Sequence, residues 1–131
     1  MTAAGLSALV IDDDSDIREV LCAILEPAGF HVDVLTDGID ALDLKKWYDV
    51  ILLDWKMPVF GGQHLTDYWQ LTNPRILERV IVLTGFSRLT ADGRPATFGV
   101  LPKPFDFQLL LDMVEQCVTS SRRVPEEGNH V

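Results

Sequence analysis

Several features that would fix the class of this protein at once are scarce or missing. The chain has only two cysteines, Cys22 and Cys117, without metal-ligand spacing, so we interpret them as core or near-core thiols of a reduced cytosol. Its three histidines are scattered, which argues against a zinc site. There is no run of about 18 apolar residues and no basic region in Met1–Gly5, so we expect neither a transmembrane helix nor a secretory signal.

Positive charge is also scarce, with 11 lysines and arginines against 20 acidic residues and a formal net charge of −9. Because the phosphates of nucleic acid would repel such a chain, we expect no nucleic-acid partner. Without an apolar span, we also expect no membrane association. A length of 131 residues, with 47% hydrophobic and 24% charged residues, is typical of one globular domain.

Short apolar runs predict the strands. Ala8–Ile11, Val50–Leu53 and Val80–Leu83 are apolar throughout, as in strands of a parallel sheet that helices cover on both faces. Val32–Leu35 alternates and predicts an edge strand, and Val100–Leu101 predicts a weaker fifth strand. Because helical patterns follow the strands, the order is β-α repeated five times. This order predicts an α/β fold with a parallel sheet and right-handed crossovers.

Apolar spacing predicts four of the helices. The first has its apolar positions between Ile17 and Ala28, with Asp14 or Ser15 as its cap and Pro27 and Gly29 at its end. The others are Ile39 to Leu44, Gln63 to Leu71, which Asn73 and Pro74 close, and Phe107 to Val118, which Asp106 caps. A further helix between residues 85 and 102 can only be short. The polar segment 120–131 is expected to be a disordered tail, which leaves residues 1–119 as the folded domain.

Polar residues suited to chemistry follow the predicted strands. They are Asp12, Asp13 and Asp14 after the first strand, Asp54 after the third, Thr84 after the fourth and Lys103 after the fifth. The carboxyl ends of parallel strands form the edge at which open α/β sheets bind ligands. We therefore expect these residues to converge on one patch.

Such a patch favours metal-assisted phosphoryl transfer. Grouped carboxylates raise each other's pKa values unless a divalent cation lies among them. Mg²⁺ prefers one or two protein carboxylates and keeps further positions for water and phosphate oxygens. With the ammonium of Lys103 and the hydroxyl of Thr84 beside it, a carboxylate nucleophile here suits in-line displacement at phosphorus.

Each residue alone also has a purely structural interpretation. An aspartate after a strand is often a helix cap or a turn residue, which we prefer for Asp14. This explains Asp12 and Asp13 less well, because adjacent acids at a buried strand end are destabilising without a cation. Thr84 alone would be a common strand-end residue and Lys103 alone a solvated lysine, so the signal lies in the joint pattern.

The motifs resemble those of response regulator receiver domains. "LVIDDDSDIREVL" resembles the opening strand, acidic pair and first helix of that family, and "TDGIDAL" the turn into its second helix. "DVILLDWKMPVFGG" resembles the phosphoacceptor strand and its loop, "VIVLTG" the strand with the hydroxyl residue, and "LPKPF" the Lys-Pro segment. The resemblance covers about Leu6 to Val118. It implies a flavodoxin-like (βα)5 doubly wound parallel sheet of order 2-1-3-4-5, here with a shortened fourth helix.

By this resemblance, Asp54 takes a phosphoryl group from a histidine kinase or a histidine phosphotransfer protein. Asp12, Asp13, Asp54 itself and the backbone carbonyl of Lys56 are the implied Mg²⁺ ligands. The implied function is that of a phosphoacceptor receiver domain in two-component phosphorelay signalling, which switches the binding of a downstream protein. We expect a cytoplasmic monomer or weak dimer whose only catalysis is its own phosphorylation and slow dephosphorylation.

Thr84 is implied to contact the phosphoryl group and to shift inward after phosphorylation, and Lys103 to pair with a phosphoryl oxygen. The resemblance also implies a cis bond between Lys103 and Pro104. The chain departs from the family at Val100, where an aromatic residue is usual, which argues against coupling through a rotating ring. The short segment ending in "LPKPF" resembles receivers found in or attached to hybrid histidine kinases.

Three other functions are weighed against this one. A Mg²⁺-dependent phosphohydrolase would usually carry a second acid two residues after its nucleophile, where this chain has Lys56. That lysine either alters hydrolysis of the acyl phosphate or is a solvated loop residue. A degenerate receiver is disfavoured because all the polar positions are present. A flavin-binding protein is disfavoured because no phosphate-cradling loop is recognisable.

Overall fold

The computed structural model describes residues 5–85 and 96–129, with side chains described as far as Ser120. In chain order the elements are β1 (Ser7–Ile11), α1 (Ser15–Leu25), β2 (His31–Leu35), a first 3₁₀ helix (Ile39–Ala41), β3 (Val50–Asp54), α2 (Gly62–Thr72), a second 3₁₀ helix (Pro74–Arg79), β4 (Val80–Thr84), β5 (Gly99–Pro102) and α3 (Phe107–Asn129). Within these ranges, none of the helices combines the length and the hydropathy needed to cross a bilayer.

The strands form one parallel sheet in the order β2-β1-β3-β4-β5, which confirms the predicted flavodoxin-like order. Every residue of β3 and β4 is buried, as their continuous apolar sequences predict. β2 lies at one edge and is partly exposed along its length, which agrees with its alternating sequence.

Helices cover both faces of the sheet and bury two hydrophobic clusters. Leu21 of α1 and Leu110 of α3 pack on one face, whereas Leu65 and Trp69 of α2 pack on the other. Successive strand residues point to alternate faces, and burying a large apolar side chain contributes about 1.5–3 kcal/mol. Packing on both faces therefore holds the strand ends, and the residues that follow them, in fixed positions.

The predicted helix caps are confirmed. The carboxylate of Asp14 accepts the backbone N–H groups of Asp16 at 2.9 Å and Ile17 at 3.4 Å, so Asp14 and not Ser15 caps α1. The carboxylate of Asp106 accepts the backbone N–H of Leu109 at 2.9 Å at the start of α3.

The predicted second helix, Ile39 to Leu44, is wrong beyond its first turn. Only the 3₁₀ helix Ile39–Ala41 forms, because the chain after it is held by contacts with distant segments. Lys46 Nζ lies 3.0 Å from Asp33 Oδ2 on β2, and the ring of Trp47 lies 3.6 Å from the guanidinium carbon of Arg79. These tertiary contacts outweigh a weak local helix preference.

Two further expectations concern the C-terminal part of the chain. The shortened fourth helix falls largely on residues 86–95, which lie outside the described residues. α3 continues to Asn129, so the backbone of 120–129 is helical where a disordered tail was expected. The domain limit at residue 119 stays a prediction.

Candidate functional site

Three carboxylates meet at the carboxyl edge of the sheet. Asp12 and Asp13 follow β1, Asp54 ends β3, and one carboxylate oxygen of each lies within 4.8 Å of the others. Pairing of Ile11 with Leu53 in neighbouring strands puts the residues that follow them side by side. Asp12 and Asp54 are only 1% and 6% exposed, whereas Asp13 is exposed. The structure thus brings together the acids that the sequence predicted would converge.

Asp14 has the structural role that was preferred for it. Its side chain caps α1, and its backbone N–H donates to Asp12 Oδ1 at 2.9 Å. Arg18 Nη1 donates to the backbone carbonyl of Asp12 at 2.8 Å. Sequence reasoning missed this contact, because an arginine on the solvated face of a helix carries no distinctive signal. Together these bonds orient the turn that carries Asp12.

Lys103 links the two buried acids. Its Nζ lies 3.0 Å from Asp54 Oδ1 and 3.4 Å from Asp12 Oδ2. Its backbone N–H donates to the carbonyl of Thr84 at 2.8 Å, which fixes the chain just after β5. The peptide bond between Lys103 and Pro104 is cis, as the resemblance implied.

Thr84 is the last residue of β4 and is buried. Asp54 pairs with Leu83, so Thr84 lies one residue beyond the partner of Asp54 at the same edge. The backbone N–H of Trp55 donates to the carbonyl of Leu83 at 2.9 Å and extends the pairing past Asp54. The hydroxyl-bearing residue and the acid are therefore held by neighbouring central strands.

The loop after β3 is closed by two glycines that sequence reasoning did not use. The backbone N–H of Gly62 donates to the carbonyl of Trp55 at 2.9 Å, and a Cβ on Gly62 would lie 2.7 Å from the carbonyl oxygen of Asp54. A Cβ on Gly61 would lie 3.0 Å from the Trp55 carbonyl oxygen. Only glycine lets α2 begin this close to the strand end. The Gly-Gly pair in "DWKMPVFGG" was the available signal. Lys56, in the same loop, is exposed.

Negative charge exceeds positive charge in the cluster, which contains three carboxylates and the ammonium of Lys103. Burial raises the pKa of Asp54 to about 6; the hydrogen bond from Lys103 opposes this shift, and the charge of Asp12 adds to it. Burial acts to lower the pKa of Lys103, but the hydrogen bond to Asp54 and the charges of Asp12 and Asp54 outweigh it, so the pKa is raised. The site holds its acids close together with one ammonium among them.

The donor set fits a hard divalent cation. All three clustered side chains offer carboxylate oxygens, the ligand type that Mg²⁺ prefers. Two of them are buried at a sheet edge, where a second positive charge would offset their repulsion. No nitrogen or sulfur donor of histidine or cysteine belongs to this cluster, so the donors do not favour zinc.

Comparison with known families decides what this edge of the sheet is. The family model described as "Response regulator receiver domain" matches residues 8–115. The chain belongs to the response regulator receiver domain family. Every predicted site residue lies inside the matched range. Receiver domains bind Mg²⁺ in an acidic cluster and interact with histidine kinases or phosphotransfer proteins. The acidic cluster of this receiver domain fits Mg²⁺ and a phosphoacceptor aspartate.

Two curated relatives illustrate the match. This receiver domain is 33% identical over 108 residues to a response regulator receiver protein of Anaeromyxobacter sp. (strain Fw109-5), covering 80% of the chain and 45% of the relative. It is 31% identical over 115 residues to Protein Rrf1 of Nitratidesulfovibrio vulgaris (strain Hildenborough), covering 86% of the chain and 82% of Rrf1. The chain therefore spans less than half of the first relative and most of the second.

A solved structure shows the same fold. It is the receiver domain of the sensor histidine kinase PA1611 from Pseudomonas aeruginosa PAO1, with a magnesium ion coordinated in its active-site cleft. The TM-score is 0.76 at 26% sequence identity, and the match covers 88% of this chain and 99% of that one.

Proposed function

We propose that Asp54 is the phosphoacceptor of this receiver domain, and that a cytoplasmic histidine kinase or histidine phosphotransfer protein supplies the phosphoryl group. The observation that carries this proposal is the 3.0 Å contact of Lys103 Nζ with Asp54 Oδ1 inside a cluster of three carboxylates. Asp54 is the member of that cluster that ends a central strand, which holds its backbone rigidly.

Asp12, Asp13, Asp54 and the backbone carbonyl of Lys56 would hold Mg²⁺. When bound, the ion would supply positive charge to offset the negative charge on the phosphoryl oxygens. Asp13 is the exposed acid of the cluster, which suits contact through water.

In the transfer, a carboxylate oxygen of Asp54 attacks phosphorus while the bond from phosphorus to the donor histidine nitrogen breaks. The nitrogen leaves with that electron pair and takes a proton from water. Lys103 passes its hydrogen bond from Asp54 to a phosphoryl oxygen, and the hydroxyl of Thr84 donates to another. The product is an aspartyl phosphate, whose slow hydrolysis resets the domain.

The output of this cycle is a change in protein binding rather than turnover of a substrate. Because Val100 stands where an aromatic residue is usual, movement of Thr84 toward the phosphoryl group has to reach the surface by strand and loop packing. Val100 is half-buried and packs against the cluster on the α2 face. We expect a monomer or weak dimer that binds one downstream protein more tightly in one phosphorylation state.

Intact mass spectrometry after incubation with acetyl phosphate and Mg²⁺ tests the proposal. We expect one added phosphoryl group, which disappears when Mg²⁺ is chelated and in Asp54→Asn. Asp14→Asn is the matched control, because it alters a neighbouring acid but keeps a residue that can cap α1. Phosphoryl addition to Asp54→Asn, or none to the wild type, would contradict the proposal. Steady release of phosphate from many esters would indicate a phosphohydrolase instead.

A further inference from the structure

The amino ends of β3 and β4 border an open cleft that the proposed phosphoryl chemistry does not use. The cleft has a volume of about 970 Å³ and lies between the end of α2, the second 3₁₀ helix and the segment 42–47. Asp54 lies at the other end of β3, and a strand rises about 3.3 Å per residue. The cleft and the acid cluster are therefore separated by the length of the strand.

The cleft is open because the connection between β2 and β3 forms little regular structure. Only Ile39–Ala41 is helical there, and the segment after it crosses the α2 side of the sheet as irregular chain. A full helix in this connection would pack beside α2 and fill the space. The remaining volume is at the upper end of the range of about 300–1,000 Å³ that is typical of small-molecule sites.

An indole ring held in a fixed orientation forms one wall of the cleft. Trp47 is 52% exposed, although the guanidinium carbon of Arg79 lies 3.6 Å from its ring centroid. Arg79 is itself anchored, since its Nε donates to the carbonyl of Tyr48 at 2.8 Å. The ring is therefore oriented before any ligand arrives, which reduces the entropy lost on binding. Tyr68 lines the cleft from α2.

The charges that line the cleft favour an anion. Asp43 is paired with Lys45 at 2.8 Å, and Lys46 is paired with Asp33 at 3.0 Å. The other charged residues in the lining are Arg75, Arg79 and Glu78, two cations against one anion in a chain of net charge −9. Burial lowers the pKa of Arg79, and the nearby carboxylates of Glu78 and Asp49 oppose this shift, so a further negative charge would act mainly on the exposed guanidinium of Arg75.

We propose that this cleft binds a small planar aromatic anion, with its ring stacked on Trp47 and its negative group near Arg75 and Arg79. Stacking on a fixed ring selects a planar ligand, and the two guanidinium groups select a carboxylate, sulfonate or phosphate on it. This site would be separate from the phosphoacceptor and would bind whether or not Asp54 can be phosphorylated.

Isothermal titration calorimetry with 2-naphthoate and with its neutral analogue 2-naphthamide tests the proposal. We expect saturable one-to-one binding of 2-naphthoate, at least tenfold tighter than that of 2-naphthamide, with quenching of tryptophan emission. Trp47→Ala should weaken 2-naphthoate binding at least tenfold, and Arg75→Gln several-fold. Because Trp47→Ala removes the partner of Arg79 and could unfold the chain, Tyr68→Ala gives a second test on α2, with an expected several-fold loss.

The controls separate this cleft from general surface binding. Leu71→Ala shortens a side chain of α2 that is 86% exposed and lies outside the lining. This variant should keep the wild-type affinity for 2-naphthoate, and so should Asp54→Asn. Absence of saturable binding by the wild type, equal affinity for the two probes, or unchanged binding in folded Trp47→Ala and Tyr68→Ala would overturn the proposal.

Discussion

Polar side chains are buried both where the strands begin, which we call the amino edge, and where the strands end, the carboxyl edge. The two sets of buried polar groups differ in how well their partners compensate them. At the amino edge, buried polar groups have partners close at hand. Arg79 Nε donates to the Tyr48 carbonyl at 2.8 Å, and Asp49 Oδ2 accepts the backbone N–H of Ser7 at 2.9 Å. Such bonds tie the connections before the strands to the strands themselves, and they stabilise the fold.

At the carboxyl edge, two buried carboxylates share one ammonium. Lys103 Nζ lies 3.0 Å from Asp54 and 3.4 Å from Asp12, and the exposed carboxylate of Asp13 is close by. The like charges that face each other are unfavourable for folding, so this edge keeps its acids at the expense of stability. The contrast teaches that the functional edge is recognised by uncompensated charge rather than by burial of polar groups alone.

The largest change in the free energy of unfolding is expected when Arg79, a compensated group at the amino edge, is replaced. Arg79→Ala removes the hydrogen bond to Tyr48 and the stacking on Trp47, and should lower the free energy of unfolding by about 2–4 kcal/mol. Arg75→Ala, an exposed arginine in the same 3₁₀ helix, should change it by less than about 0.5 kcal/mol. Urea unfolding at neutral pH measures both, and similar losses in the two variants would contradict the assignment.

Removing a negative charge from the carboxyl edge should stabilise the domain, in contrast to the loss expected for Arg79→Ala. Asp54→Asn is expected to raise the unfolding free energy of the Mg²⁺-free domain by about 1–3 kcal/mol, since each pKa unit corresponds to about 1.4 kcal/mol. The physical reason is relief of burial and of repulsion by Asp12, partly offset by the weaker hydrogen bond from Lys103.

The stability gained in Asp54→Asn should depend on pH, because the pKa of Asp54 is raised in the folded state. The pKa of Asp54 is raised from 3.8 to about 6, so the folded state holds the proton more tightly. The stability contributed by the protonated acid is fully present below 3.8 and is lost as the pH rises through about 6. The gain from Asp54→Asn should therefore grow over this window in urea titrations made with a chelator. A gain that shrinks with rising pH would contradict the prediction.

Adding Mg²⁺ should offset the negative charge at the carboxyl edge and so stabilise the domain. At ten times its dissociation constant the ion should raise the unfolding free energy by about 1.4 kcal/mol. Asp13→Asn should weaken this stabilisation while leaving the chelated protein nearly as stable, because Asp13 is exposed. Asp14→Asn should keep the full effect of Mg²⁺. Thermal unfolding across a Mg²⁺ titration distinguishes the three proteins, and equal responses in both variants would contradict the ligand assignment.

The smallest expected effect concerns β2. Tyr48 Oη donates to Asp33 Oδ2 at 2.6 Å, and this hydrogen bond is the largest cause of the lowered pKa of Asp33. Tyr48→Phe should raise that pKa toward 3.8 and lower the unfolding free energy by about 0.5–1.5 kcal/mol at neutral pH. Because a lowered pKa stabilises above the unfolded value, the loss should shrink as the pH falls below 3.8. Titration of the Asp33 carboxyl carbon by NMR checks the shift directly.

The acid site was largely predictable because apolar runs mark where parallel strands end. Asp12 and Asp54 converge as soon as β1 and β3 pair in register. The amino edge was not predictable, because Trp47 and Arg79 are distant in sequence and meet only when the connections before β3 and β4 fold together. Pro74 is a recognised helix-start residue, and it was an unused signal for the second 3₁₀ helix.

Gly62 lies against the backbone of Asp54, the proposed phosphoacceptor. A methyl group at this position would lie 2.7 Å from the carbonyl oxygen of Asp54 and 2.9 Å from the Cα of Trp55, so the first turn of α2 rests directly on that backbone. Movement of the first turn of α2 toward β3 would therefore press on the backbone that carries Asp54. The position of the proposed phosphoacceptor is thus coupled sterically to the position of α2.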